Sequence, residues 1–63
     1  IGEAAFINCT GLTKVVIPSN ITNIGDGAFY NCPNLDVVID NSKENVTVGP
    51  NTFVGCKSVT YLK

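Results

Sequence analysis

The residues of this chain best suited to do chemistry are three cysteines, Cys9, Cys32 and Cys56. A thiol can act as nucleophile, metal ligand or disulfide partner, and each role demands company. A nucleophilic thiol needs a base beside it, and the 63 residues include no His. Metal binding is usually announced by a Cys-x-x-Cys pair, whereas successive cysteines here lie 23 and 24 residues apart. If those positions stack one strand spacing apart, about 4.8 Å, their Cα atoms fall within disulfide range. Side chains in such a ladder run parallel, however, and three thiols cannot all pair. The cysteines therefore read as reduced core residues that behave as small hydrophobes.

Two further constellations invite the same test. Asp40 and Glu44, with Asn41, Ser42 and Asn45, form an oxygen-rich run that suggests calcium, but its spacing matches no EF-hand loop, and a solvated loop is the expectation. Asn8-Cys9-Thr10, Asn20-Ile21-Thr22 and Asn45-Val46-Thr47 fit the glycosylation acceptor pattern, which a chain rich in Asn and Thr meets by chance. Asn8 reads as a turn residue beside its Cys. No paired carboxylates and no Gly-rich phosphate loop stand at a useful spacing, so no catalytic residue, metal or cofactor is expected.

What positions the cysteines is a repeat. Ile24-Gly25-Asp26-Gly27-Ala28-Phe29-Tyr30-Asn31-Cys32-Pro33-Asn34-Leu35 has one copy upstream, from Ile1 to Leu12, and one downstream, from Val48 to Val59. The shared columns are an aliphatic residue (Ile1, Ile24, Val48), Gly (Gly2, Gly25, Gly49), a small residue (Ala5, Ala28, Thr52), Phe (Phe6, Phe29, Phe53), Cys, and two aliphatic columns (Leu12, Leu35, Val59 and Val15, Val38, Leu62). Fixed apolar columns at a period in the twenties indicate a solenoid whose coils bury their faces only against neighbours. The Phe column then belongs to the core, stacking coil upon coil.

Within each copy the segment from Gly to Cys reads as a turn and one or two helical turns, with Ala5, Phe6 and Cys9 on one face. Leu12 to Ile17 reads as the main strand, with Val15 and Ile17 inward and Val16 outward, and Pro18 ends it. Ile21 to Ile24 is a shorter extended piece. The second copy departs from the first, since Asp40 takes the column of Ile17, and Asn41 to Asn45 adds a polar loop with one extra residue. Val46 to Val48 resumes as a short strand, and Val59 to Lys63 is a third main strand.

Composition narrows the function. With Lys+Arg 4 against Asp+Glu 5 the net charge is −1 and no basic cluster exists, so binding through nucleic acid phosphates has no support. No apolar run approaches the roughly 18 residues that span a bilayer. A chain this short is close to break-even in core energetics, and two and two-thirds repeats fall short of the three that arrays usually need. A single segment over residues 1–63, with repeats near 1–23, 24–47 and 48–63, is expected to belong to a longer array.

The pattern Ile-Gly, two variable residues, Ala-Phe, two variable, Cys, two variable, Leu, two variable, Ile, one variable, Ile-Pro resembles the BspA-type leucine-rich repeat. It fits Ile1 to Pro18 almost throughout and covers essentially the whole chain except Asp40 to Asn45. The resemblance implies an α/β leucine-rich-repeat solenoid, rich in β structure, with a parallel concave sheet and short helices or turns around Phe6, Phe29 and Phe53 on the opposite side. It also implies a cell-surface or secreted protein, because such repeats are common in adhesins of host-associated bacteria and some parasitic protozoa. The partner implied is a protein, a host extracellular protein among the candidates.

If Val15, Val38 and Leu62 point inward, then Lys14, Val37 and Tyr61 form one outward row and Val16, Ile39 and Lys63 the next. A solvent-facing sheet normally carries polar residues, and contiguous exposed apolar area tends to mark an interaction site. The expected binding face is accordingly Lys14, Val16, Val37, Ile39 and Tyr61. The competing expectation is a row of spacer repeats that hold another domain away from the cell and bind nothing, with β-branched residues present because strands favour them. Open coil ends would additionally template self-association.

Overall fold

A computed structural model describes residues 1–63. Five short strands follow in order: β1 (Lys14–Ile17), β2 (Asn23–Ile24), β3 (Asp36–Ile39), β4 (Thr47–Val48) and β5 (Ser58–Tyr61), with one 3-10 helix at Lys43–Asn45. They form two parallel sheets, β1-β3-β5 and β2-β4. Parallel neighbours separated by some twenty residues mean that the chain passes through the same series of segments once per repeat. β1 and β3 lie within the expected spans, Leu12 to Ile17 and Leu35 to Ile39, β5 begins at Ser58, one residue before the expected Val59 to Lys63, and the two short strands fall where the flanking aliphatic residues placed them. The polar loop between β3 and β4 contains the 3-10 helix. No helix is long and apolar enough to cross a membrane.

The segments around the three phenylalanines are consecutive turns, where short helices had been the other expectation. Two features explain this. First, a left-handed residue closes each segment: Asn8 at φ 59°, Asn31 at φ 59° and Gly55 at φ 85°. Asn and Gly are the residues that visit this region most readily, and a right-handed helix cannot run through it. Second, the N–H groups alternate in direction. Ala28 and Tyr30 donate within the turn to the carbonyls of Gly25 and Gly27, while Phe29 and Asn31 donate across to Thr52 and Val54, at 3.1 and 2.8 Å. The first repeat does the same, with Ala4, Phe6 and Asn8 donating across to Asp26, Ala28 and Tyr30. A helix would turn its N–H groups along its own axis, and past the first turn would use them internally, so it could not send every second one across to the next repeat.

The strand register corrects the alignment of columns. Val15 pairs with Val37 and Val37 with Val59, and Ile17 pairs with Ile39 and Ile39 with Tyr61. Equivalent strand residues are thus 22 apart, although the Phe column steps by 23 and 24. Val37, Ile39 and Ile17 are buried, so Val37 and Ile39 point into the core and not outward, and Tyr61 joins their row, half-buried. Val38 and Leu62, expected inside, are a half-buried outer residue and an exposed one beyond the strand end. The cause is Asp40. In the sequence alignment it would occupy the inward place of Ile17, where an unpaired carboxylate is costly. A shift of one residue turns every side chain to the other face, placing Ile39 inside and Asp40 beyond β3, where the Lys63 Nζ lies 3.2 Å from its carboxylate.

Burial is concentrated in the middle repeat. Phe29 has no exposed surface whereas Phe6 is 39% exposed, although the rings stack in one column: Phe6 and Phe29 at 5.1 Å and 3° between planes, Phe29 and Phe53 at 6.1 Å and 14°. The Gly column marks where repeats approach most closely. A Cβ on Gly25 would sit 2.6 Å from the Glu3 nitrogen and one on Gly49 2.4 Å from the Asp26 Cα, while at Gly2 it would meet nothing within 4 Å.

Two urea-denaturation comparisons check this fold. Ile39→Ala should cost about 2–5 kcal/mol, as for a truncated core aliphatic, whereas Val38→Thr should cost about 1 kcal/mol or less; the reverse order would restore the aligned register. Gly49→Ala should lower the midpoint well beyond Gly2→Ala, because only Gly49 faces backbone that must move.

Candidate functional site

The outer side of the three-stranded sheet carries two rows fixed by the pairing: Lys14, Asp36 and Ser58 in one, Val16, Val38 and Thr60 in the other. Of the five residues expected to form a binding face, Lys14 and Val16 are exposed on this side, Val16 by 55%. Val37 and Ile39 belong to the core, and Tyr61 lies in the inner row. The structure instead brings Val38, Thr60, Asp36 and Ser58 beside Lys14 and Val16. Their omission follows from the one-residue slip, and Asp40 was the sequence signal that could have found them.

The resulting face is mixed. Ser58 Oγ donates to Asp36 Oδ1 at 2.7 Å, which holds that carboxylate against β5. Val16 and Val38, side by side on neighbouring strands, form the apolar strip, and Lys14 contributes a cation next to the half-buried Asp36. Such a surface can bury two valine side chains and exchange hydrogen bonds with a partner along both borders. It lacks the cavity that holds a small molecule.

The three thiols are free. Cys32 Sγ lies 3.2 Å from the Phe6 carbonyl oxygen and Cys56 Sγ 3.3 Å from that of Phe29, so each thiol donates to the preceding repeat. Burial, with a smaller contribution from the neighbouring Cys32, raises the Cys56 pKa above its ordinary 9.0, and the backbone contact pulls slightly the other way. A raised pKa disfavours the thiolate that nucleophilic or metal chemistry requires. No group of three His, Cys, Asp or Glu side chains stands together in a metal-holding arrangement. Asn8 serves its turn, and its Oδ1 accepts a hydrogen bond from Asn31 Nδ2 at 2.9 Å.

Compared with known proteins, residues 1–63 match the family model described as a BspA type leucine rich repeat region (6 copies). The chain belongs to the BspA-type leucine-rich repeat family. No curated protein and no solved structure gives a significant match. Repeat arrays of this kind generally serve protein interaction through their extended surfaces.

The Cys56 environment makes stability depend on pH with a definite sign. Below its ordinary value of 9.0 both folded and unfolded chains keep the proton, and the stability linked to this thiol is fully present. As pH rises through the higher folded value, the unfolded chain has already released its proton and the folded state loses ground. The urea midpoint should therefore fall between pH 8 and 11 more steeply in the native sequence than in Cys56→Ala; parallel profiles would refute the effect.

Proposed function

We propose that this chain is a non-enzymatic, protein-binding segment of a cell-surface or secreted protein of the adhesion type. Its repeats, near 1–23, 24–47 and 48–63, form part of a solenoid whose three-stranded parallel sheet is the concave face. The partner contact falls on Lys14, Val16, Val38 and Thr60. The single observation that supports this reading is the apolar Val16–Val38 strip, with Val16 exposed and Val38 half-buried, bordered by Lys14, Asp36, Ser58 and Thr60, which can satisfy hydrogen bonds around it. Interfaces combine an apolar centre with a polar rim in this way. Two valines supply little affinity, so useful binding comes from many such strips in register, and a host extracellular protein is the class of ligand large enough to cover them.

A spacer role draws support from the same face, since four of its six outward positions are polar. Self-association through the end repeats draws support from the exposed Phe6 beside the buried Phe29.

Site-specific photo-cross-linking separates these readings. A benzophenone side chain placed at position 16 or 38 should cross-link to a protein in an extracellular-matrix extract, while the same group at position 44 in the loop should not. Equal yields from 16, 38 and 44, or none, would favour the spacer. Adducts between two copies of the chain would favour self-association.

A further inference from the structure

The turns carry a second uncovered surface that the strand face does not include. Ile7, Tyr30 and Val54 occupy one column of the turn segments, held in register by the Asn8 N–H on the Tyr30 carbonyl and the Asn31 N–H on the Val54 carbonyl. They are exposed by 44, 40 and 50%. Beside Ile7 and Tyr30 runs a groove of about 410 Å³, lined also by Glu3, Asp26 and Asn51. Asp26 Oδ1 accepts the Asn51 backbone N–H at 3.1 Å, which fixes that carboxylate at the groove. Neither Asp26 nor Glu3 is paired with a cation, the molecule's one ion pair being Lys63 with Asp40.

We infer that this groove is a docking site for an extended peptide segment of a partner protein that alternates aliphatic and cationic side chains. Charge complementarity selects the occupant. Glu3 and Asp26 stand at the same column of the first two repeats, which Pro50 takes in the third, so a peptide crossing those two repeats meets one negative charge beside one apolar side chain in each. An aliphatic side chain packs on Ile7 or Tyr30 and the next residue's guanidinium reaches Glu3 or Asp26, where a bidentate pair adds geometric selection. The Tyr30 ring offers both an apolar face and a cation-attracting one. An acidic or purely aliphatic segment leaves the carboxylates desolvated without compensation and is rejected.

The test is an NMR titration of the 63-residue chain with a capped pentapeptide alternating leucine and arginine, and with its glutamate-for-arginine counterpart. The arginine peptide should shift the amides of Ala4, Gly27, Tyr30 and Asn51 saturably. Glu3→Gln combined with Asp26→Asn, which keeps the acceptor for Asn51, should weaken binding about five- to tenfold while leaving the rest of the spectrum in place. Raising salt to 0.5 M should weaken the native protein and not the variant. The site is overturned by any of three results: equal affinity for both peptides, shifts confined to Val16, Val38 and Thr60, or groove shifts that appear on raising protein concentration without peptide. The second result would leave the strand-face reading intact, so the two proposals fail separately.

Discussion

Everything in this structure depends on each repeat lying one strand spacing from the next around its whole circuit. The backbone enforces it. In the two sheets and in the turns, N–H groups of one repeat donate to carbonyls of its neighbour, so a widening anywhere would strand several buried polar groups at once. Gly25 and Gly49 sit where the spacing is tightest, with room for a hydrogen and none for a methyl group. Core side chains reinforce the same contact. Thr52, in a column that is otherwise Ala, is buried because its hydroxyl reaches the Gly25 carbonyl of the preceding repeat at 2.8 Å as well as the Gly49 carbonyl at 2.9 Å. Cys32 and Cys56 reach back to the Phe6 and Phe29 carbonyls in the same way.

Because burial comes from neighbours, a residue's environment depends on its repeat as much as on its type. Ala28, Phe29, Cys32 and Leu35 are fully enclosed, while Ala5, Phe6, Cys9 and Leu12, their counterparts in the first repeat, are partly or largely exposed. In a quasi-one-dimensional array, stability is a sum over repeats and the interfaces between them. Within residues 1–63 the middle repeat is the one packed on both sides.

The parts of this architecture that demand a particular residue were legible in the sequence. Glycine at the tight approach, Phe in the stack and Cys under the preceding carbonyl recur because little else fits, and they revealed the repeat and the parallel sheets. Strand faces were less legible, because any β-branched residue suits either side of a strand and Asp36-Val37-Val38-Ile39 can be threaded in two registers. Packing decided it: one register would bury Asp40 and the other buries Ile39. The turns were ambiguous for a related reason. Ala5, Phe6 and Cys9 share a face in a helix and in consecutive turns alike, and the distinguishing mark was the Asn8, Asn31 and Gly55 column, whose members tolerate a left-handed backbone.

The alternation that ties repeats together also decides what they show to a partner. In the turns, Ala28 and Phe29 face the core, and the next residue, Tyr30, must face solvent together with Ile7 and Val54. In the main strands, Val37 and Ile39 face the core and Val38 must face solvent with Val16 and Thr60. The side chains of these outward columns take no part in the hydrogen-bond circuit, which their backbone groups carry, so they can change without altering the spacing that holds the array. Stability is thereby assigned to the inward residues and the backbone, and the outward residues of the same short segments are left free to vary. Each repeat therefore offers only one or two side chains per face, and an extended surface of either kind is built by adding repeats in register rather than by enlarging any one repeat.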